Sequence, residues 1–141
     1  MYKNILLPID LEDTASVARA LATAVEYARA FDARLHVMTV VPDFGMSVVG
    51  SFFPDDFADK AIAETNTRLH AFVAENVPDG IAVQHVVAHG RIYEEIITQA
   101  VAVGADLIVM SANHPDVSDY LLGSNAARVA RHAKQSVLIV R

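Results

Sequence analysis

The residues best suited to chemistry with an anion are Gly123-Ser124-Asn125, inside the stretch 106–133. That stretch reads as a buried strand from Leu107 to Met110, a polar loop from Ser111 to Tyr120, and a helix opened by Leu121-Leu122-Gly123-Ser124. A helix start leaves backbone N–H groups unpaired and carries a partial positive charge, so it suits a phosphate, and glycine lets a ligand approach closely. Ser124 capping its own helix explains the same residues without a ligand. Asp10, after the apolar run NILLPI, and Ser111 stand at strand ends, as do His89 and His114, which can reach a phosphate or a ribose. His36, His70, His85 and His132 fall inside predicted elements, where structural roles are expected. Two isolated histidines do not make a metal centre, and no protein-built metal site is expected.

Residue types exclude several other chemistries. There is no cysteine, which removes a thiol nucleophile, a disulfide framework and cysteine-held metals. The G-x-S-x-G elbow, the G-x-G-x-x-G fingerprint and the Walker A motif are all absent. A receiver-type phosphorylation domain needs an aspartate after strand three and a lysine after strand five, where His89 and Arg141 stand. A flavodoxin needs a Ser/Thr/Gly-rich loop after strand one, whereas LEDTASV is acidic and lacks glycine. The net charge of −6 argues against binding a nucleic-acid backbone, which requires a basic surface. No apolar run approaches the ~20 residues of a membrane helix, and the start, Met1-Tyr2-Lys3-Asn4, lacks a secretory pattern, so a cytoplasmic protein is expected.

The elements that must position these residues follow from periodicity. The 141 residues, 53% hydrophobic and 20% charged, make one globular domain spanning 1–141. Strands are expected at Asn4–Ile9, Arg34–Val41, Ala82–Val87, Leu107–Met110 and Ser136–Val140. Between them, Val17, Leu21, Ala24, Val25 and Ala28 recur at helical spacing after a cap at Asp13 or Thr14. Ala61, Ile62, Thr65, Leu69, Phe72 and Val73 mark a second helix, and Ile92, Ile96, Ile97, Ala100 and Val101 a third. The helix after Gly123 is the fourth. Residues 43–57 fit neither period and are expected to form a loop with apolar anchors, packed on the core or offered to a partner. Strands alternating with helices imply an open five-stranded parallel sheet, helices on both faces, with the order 3-2-1-4-5. In that order a crevice opens beyond the carboxyl ends of strands one and four, where such sheets bind ligands, and Asp10 and Ser111 flank it.

KNILLPID at the start, VAHG before the third helix, and the run from Asp106 through GSNAARVARHAKQSVLIVR together resemble the universal stress protein family, over the whole chain. That family's nucleotide-binding pattern is G-x-x-G, nine residues, G-[ST], a helix and a V-L-[IV]-V strand. Gly123-Ser124 and Val137-Leu138-Ile139-Val140 match it, while Ser111 and His114 stand at the two earlier glycines and the loop is one residue shorter. Ala112-Asn113-His114-Pro115 is similar to the Ser-His-Arg-Pro of one branch, in which a hydroxyl or basic side chain replaces part of the glycine nest.

The resemblance implies a Rossmann-like, adenine nucleotide alpha hydrolase-like fold that binds ATP or AMP, with Mg²⁺ carried in by the nucleotide near Asp10. Pro8, Ile9 and Asp10 would border base and ribose, with Asp10 accepting from a ribose hydroxyl. Val40, with Val41 as the alternative register, would pack on adenine, and Gly90 matches the family's glycine after strand three. Met110 and Ser111 would line the ribose side, with Ser111 or His114 replacing the glycines, and Gly123, Ser124, Asn125 and Ala126 would hold phosphates. The resemblance further implies a homodimer, which the uncapped apolar strand Ser136–Val140 agrees with. The expected function is a dimeric nucleotide-binding stress-response sensing module without efficient chemistry, since no Lys or Arg lies in residues 111–127 to clamp a transferring phosphoryl group. The alternatives are a slow Mg²⁺-dependent ATPase using Asp10 and His114, and a protein-interaction dimer that binds no nucleotide and presents the 43–57 loop.

Overall fold

Parallel pairing dictates the architecture, because each strand can reach its parallel neighbour only through a helical crossover. The computed structural model describes residues 1–42, 57–112 and 124–141. The loop expected at 43–57 and the candidates His114 and Gly123 therefore lie outside the described residues, apart from Phe57. The strands are β1 (Asn4–Pro8), β2 (Arg34–Pro42), β3 (Val83–Gly90), β4 (Leu107–Ser111) and β5 (Ser136–Val140). The helices are α1 (Thr14–Phe31), α2 (Phe57–Asn76), α3 (Ile92–Ala102) and α4 (Ser124–His132). All pairings are parallel and the order is β3-β2-β1-β4-β5, as expected from the sequence.

Side-chain alternation along the strands builds two cores, one on each face. Ile5, Leu7, Leu35, Val37, Leu107 and Val109 pack with α1 and with Leu69 and Val73 of α2. Leu6, Met38, Ile108 and Met110 pack with Ile96 and Ala100 of α3 and Ala126 and Val129 of α4. The expected α1 stripe, Val17, Leu21, Ala24, Val25 and Ala28, is buried throughout. Asp13 is its cap, accepting from the Ser16 N–H at 3.4 Å. The third helix departs from expectation at Val101, which is 69% exposed. Ile96 and Ala100 stack one turn apart, and the next residue is rotated about 100° away from the sheet. β3 runs three residues past Val87 because Val41 and Pro42 still offer partners to His89 and Gly90. Among the described residues no helix is long and apolar enough to cross a membrane.

Two tethers at the amino-terminal edge of the sheet set its register. The Asp106 carboxylate accepts from the N–H groups of Lys3 (2.9 Å) and Asn4 (3.1 Å), while the Asp106 N–H donates to the Asn4 carbonyl at 2.9 Å. His36, buried on β2, places one ring nitrogen against Gln84 Oε1 and the other against Asn4 Oδ1 at 2.9 Å. Burial holds His36 below the usual histidine range, with the Gln84 bond opposing that shift and Arg34 adding to it. On the other face His85 of β3 stacks on His70 of α2, centroids 3.6 Å apart, and is likewise lowered, by burial and then by His70.

Candidate functional site

A cleft of about 510 Å³ opens at the carboxyl edge of the sheet, within the size range of small-molecule sites. Its position follows from the topology: crossovers leave β1 and β4 in opposite directions, so no connection covers the space above their ends. Nine of the twelve residues singled out from the sequence line it: Pro8, Ile9, Asp10, Val40, Met110, Ser111, Ser124, Asn125 and Ala126. Val41, the alternative register, lines it too. Gly90 stands off the wall, at the end of β3 opposite Pro42 with a φ of +145°. His89 pairs with Val41 and is also off the wall.

The floor is braced by hydrogen bonds between elements. Ile9 continues β1 by donating its N–H to the Met38 carbonyl at 2.8 Å, and buried Thr39 donates its hydroxyl to the Ile9 carbonyl at 3.1 Å. Ser111 at the end of β4 donates its hydroxyl to the Ser16 carbonyl of α1 at 2.8 Å. That bond ties the end of β4 to the first turn of α1. Asp10 is exposed; its Oδ1 accepts from the Glu12 N–H at 2.9 Å, and its second oxygen has no partner among the described residues. That oxygen is the natural acceptor for a ligand hydroxyl.

Several wall residues escaped the sequence reading. Thr65 belongs by spacing to the α2 apolar stripe and Ile92 and Ile96 to that of α3, and all three also line the cleft. Arg68 of α2 is also on the wall, its Nη1 2.7 Å from Glu12 Oε1 and its Nη2 3.5 Å from the Leu11 carbonyl. Nothing in the helical pattern separates Arg68 from a solvated charge, because only the packing angle of α2 brings it to the cleft. The wall thus joins three kinds of surface. Val40, Val41, Ile92 and Met110 give apolar side chains, Asp10 an acceptor, and the first residues of α4 the positive end of a helix. An amphipathic ligand with a flat apolar part, hydroxyls and an anionic tail matches these three surfaces.

Comparison with known proteins finds relatives along the whole chain. The family model described as "Universal stress protein family" matches residues 1–141. The chain is 32% identical to Universal stress protein G of Escherichia coli O157:H7 over 143 residues, covering 100% of both chains. It is similar to the solved structure of universal stress protein UspA from Lactobacillus plantarum, with 28% identity, a TM-score of 0.71, and 99% and 98% of the two chains covered. A crystal structure of a universal stress protein in complex with cAMP superposes with a TM-score of 0.62 and 28% identity, covering 99% of this chain and 97% of that one.

Proposed function

Because this chain belongs to the universal stress protein family, we propose that its cleft binds an adenine nucleotide, ATP or AMP, and that the protein acts as a homodimeric sensing or regulatory module. One observation carries the reading: apolar side chains, the Asp10 carboxylate and the start of α4 line a single cleft, and base, ribose and phosphate each have a matching surface among them. The cAMP complex of a relative supports adenine nucleotides as the ligand class. Mg²⁺ would arrive with the phosphates, with the Asp10 carboxylate on the same cleft wall. Efficient hydrolysis is not part of the proposal. It requires a cation clamping the transferring phosphoryl group, and Arg68, the cationic side chain on the described wall, is engaged by Glu12.

The dimer would form through β5, whose outer edge has no partner strand among the described residues and whose residues Val137 to Val140 are half-buried. The test of nucleotide binding is to purify the protein without added nucleotide, denature it, and identify released molecules by mass spectrometry, then titrate ATP, AMP and cAMP while following the melting temperature. Near-stoichiometric release, or a rise equivalent to about 2.7 kcal/mol at a hundredfold excess over Kd, is expected. Absence of both defeats the proposal.

A further inference from the structure

The β1–α1 end of the cleft holds charge for which base, ribose and phosphate contacts give no use. Three carboxylates, Asp10, Glu12 and Asp13, and one guanidinium, Arg68, lie on the described wall. Arg68 and Glu12 are joined at 2.7 Å, yet their side chains are 51% and 77% exposed. An ion pair so wet contributes little to stability, so holding α2 to the β1–α1 loop is a poor account of it. Asp13 is occupied as the cap of α1, and Asp10 is bonded to the Glu12 N–H. Among the described residues, Glu12 and Arg68 are the members of this cluster whose charged ends meet only each other and a carbonyl at the limit of hydrogen bonding.

Resting on the nucleotide reading, we infer that Arg68 and Glu12 act as a charge filter, setting how many negative charges the bound nucleotide carries. Paired, they cancel, and the phosphates meet the start of α4 against a mildly acidic background. Losing either partner leaves one uncompensated unit charge on the cleft wall. At separations on the order of 10 Å, between protein and water, such a charge changes the binding of a polyanion several-fold and hardly touches a neutral nucleoside. The two substitutions therefore act in opposite directions. Glu12→Gln releases a cation and favours the triphosphate, whereas Arg68→Gln releases an anion and disfavours it. A merely mechanical latch would behave otherwise, since breaking it from either side has the same effect on every ligand.

The experiment is calorimetric titration of adenosine, AMP and ATP into the wild type, Glu12→Gln, Arg68→Gln and the double variant, at low and at high salt. The ratio of ATP to adenosine affinity is expected to rise roughly threefold to tenfold in Glu12→Gln and to fall by a similar factor in Arg68→Gln. It should return toward the wild-type value in the double variant, with all differences shrinking at high salt. A ratio unmoved by either substitution, or moved in the same direction by both, overturns the filter while leaving nucleotide binding intact. If the wild type binds none of the three, the nucleotide reading falls and the filter with it.

Discussion

Replacing Gly90 by alanine should destabilise the fold through the backbone. Gly90 holds a φ of +145°, which L residues rarely adopt, and strain of this kind costs about 1–3 kcal/mol. A Cβ there would also lie 2.9 Å from Glu95 Oε1, 3.1 Å from its Cγ and 3.3 Å from its Cδ. The carboxylate is the far end of a flexible side chain, so it can swing aside for less than about 1 kcal/mol. The strain is therefore the larger effect. For a chain of this length each kcal/mol moves the melting point by about 3–4 °C, giving a fall of roughly 3–12 °C. Scanning fluorimetry alongside urea unfolding with an unchanged slope measures it, and Gly90→Ala combined with Glu95→Ala should recover only the smaller part. An unchanged melting temperature accompanied by lost nucleotide affinity would refute the reasoning and make Gly90 a ligand contact.

Asp106→Ala removes the acceptor of two backbone N–H groups at the start of β1 and should cost about 1–3 kcal/mol in urea unfolding, with Asp106→Asn intermediate. Acidification should also destabilise the protein. His36 and His85 are held below the unfolded histidine value near 6.5, so the unfolded chain takes up protons first. Their contribution is complete well above the unfolded value near 6.5 and is lost as the pH falls through it; urea midpoints at pH 7.5, 6.5 and 5.5 should decline in that order, less steeply in His85→Gln, and a rise would count against the assignment. Ile139→Arg on β5 should convert a dimer to a monomer in sedimentation while far-UV circular dichroism is retained; an unchanged mass moves the interface elsewhere.

Local pattern and topology rules suffice for most of this fold, because each strand is a short apolar run and each helix carries its own stripe. The strand order follows from alternation, and with it the cleft and the placing of Asp10, Val40, Ser111 and Ser124 on one wall. What the sequence hides depends on angles between elements. Arg68 and Thr65 reach the cleft only through the way α2 lies on the sheet, and the His70–His85 stack joins a helix to a strand fifteen residues on. Gly90 hides a fact of another kind: its backbone angle and the Glu95 carboxylate over it give it a conformational task that the motif does not state. The end of β3 was misplaced for a related reason, since His-Gly reads as a turn until the partner strand is known to run alongside it.

The sheet keeps the two apolar cores apart, and the cleft draws its wall from the helices of both. A molecule seated there acts as a rivet through two layers, resisting the peeling of either from the sheet. The protein's lifetime under heat or protease would then rise with the concentration of that molecule, making survival of the fold itself a record of the metabolic state around it.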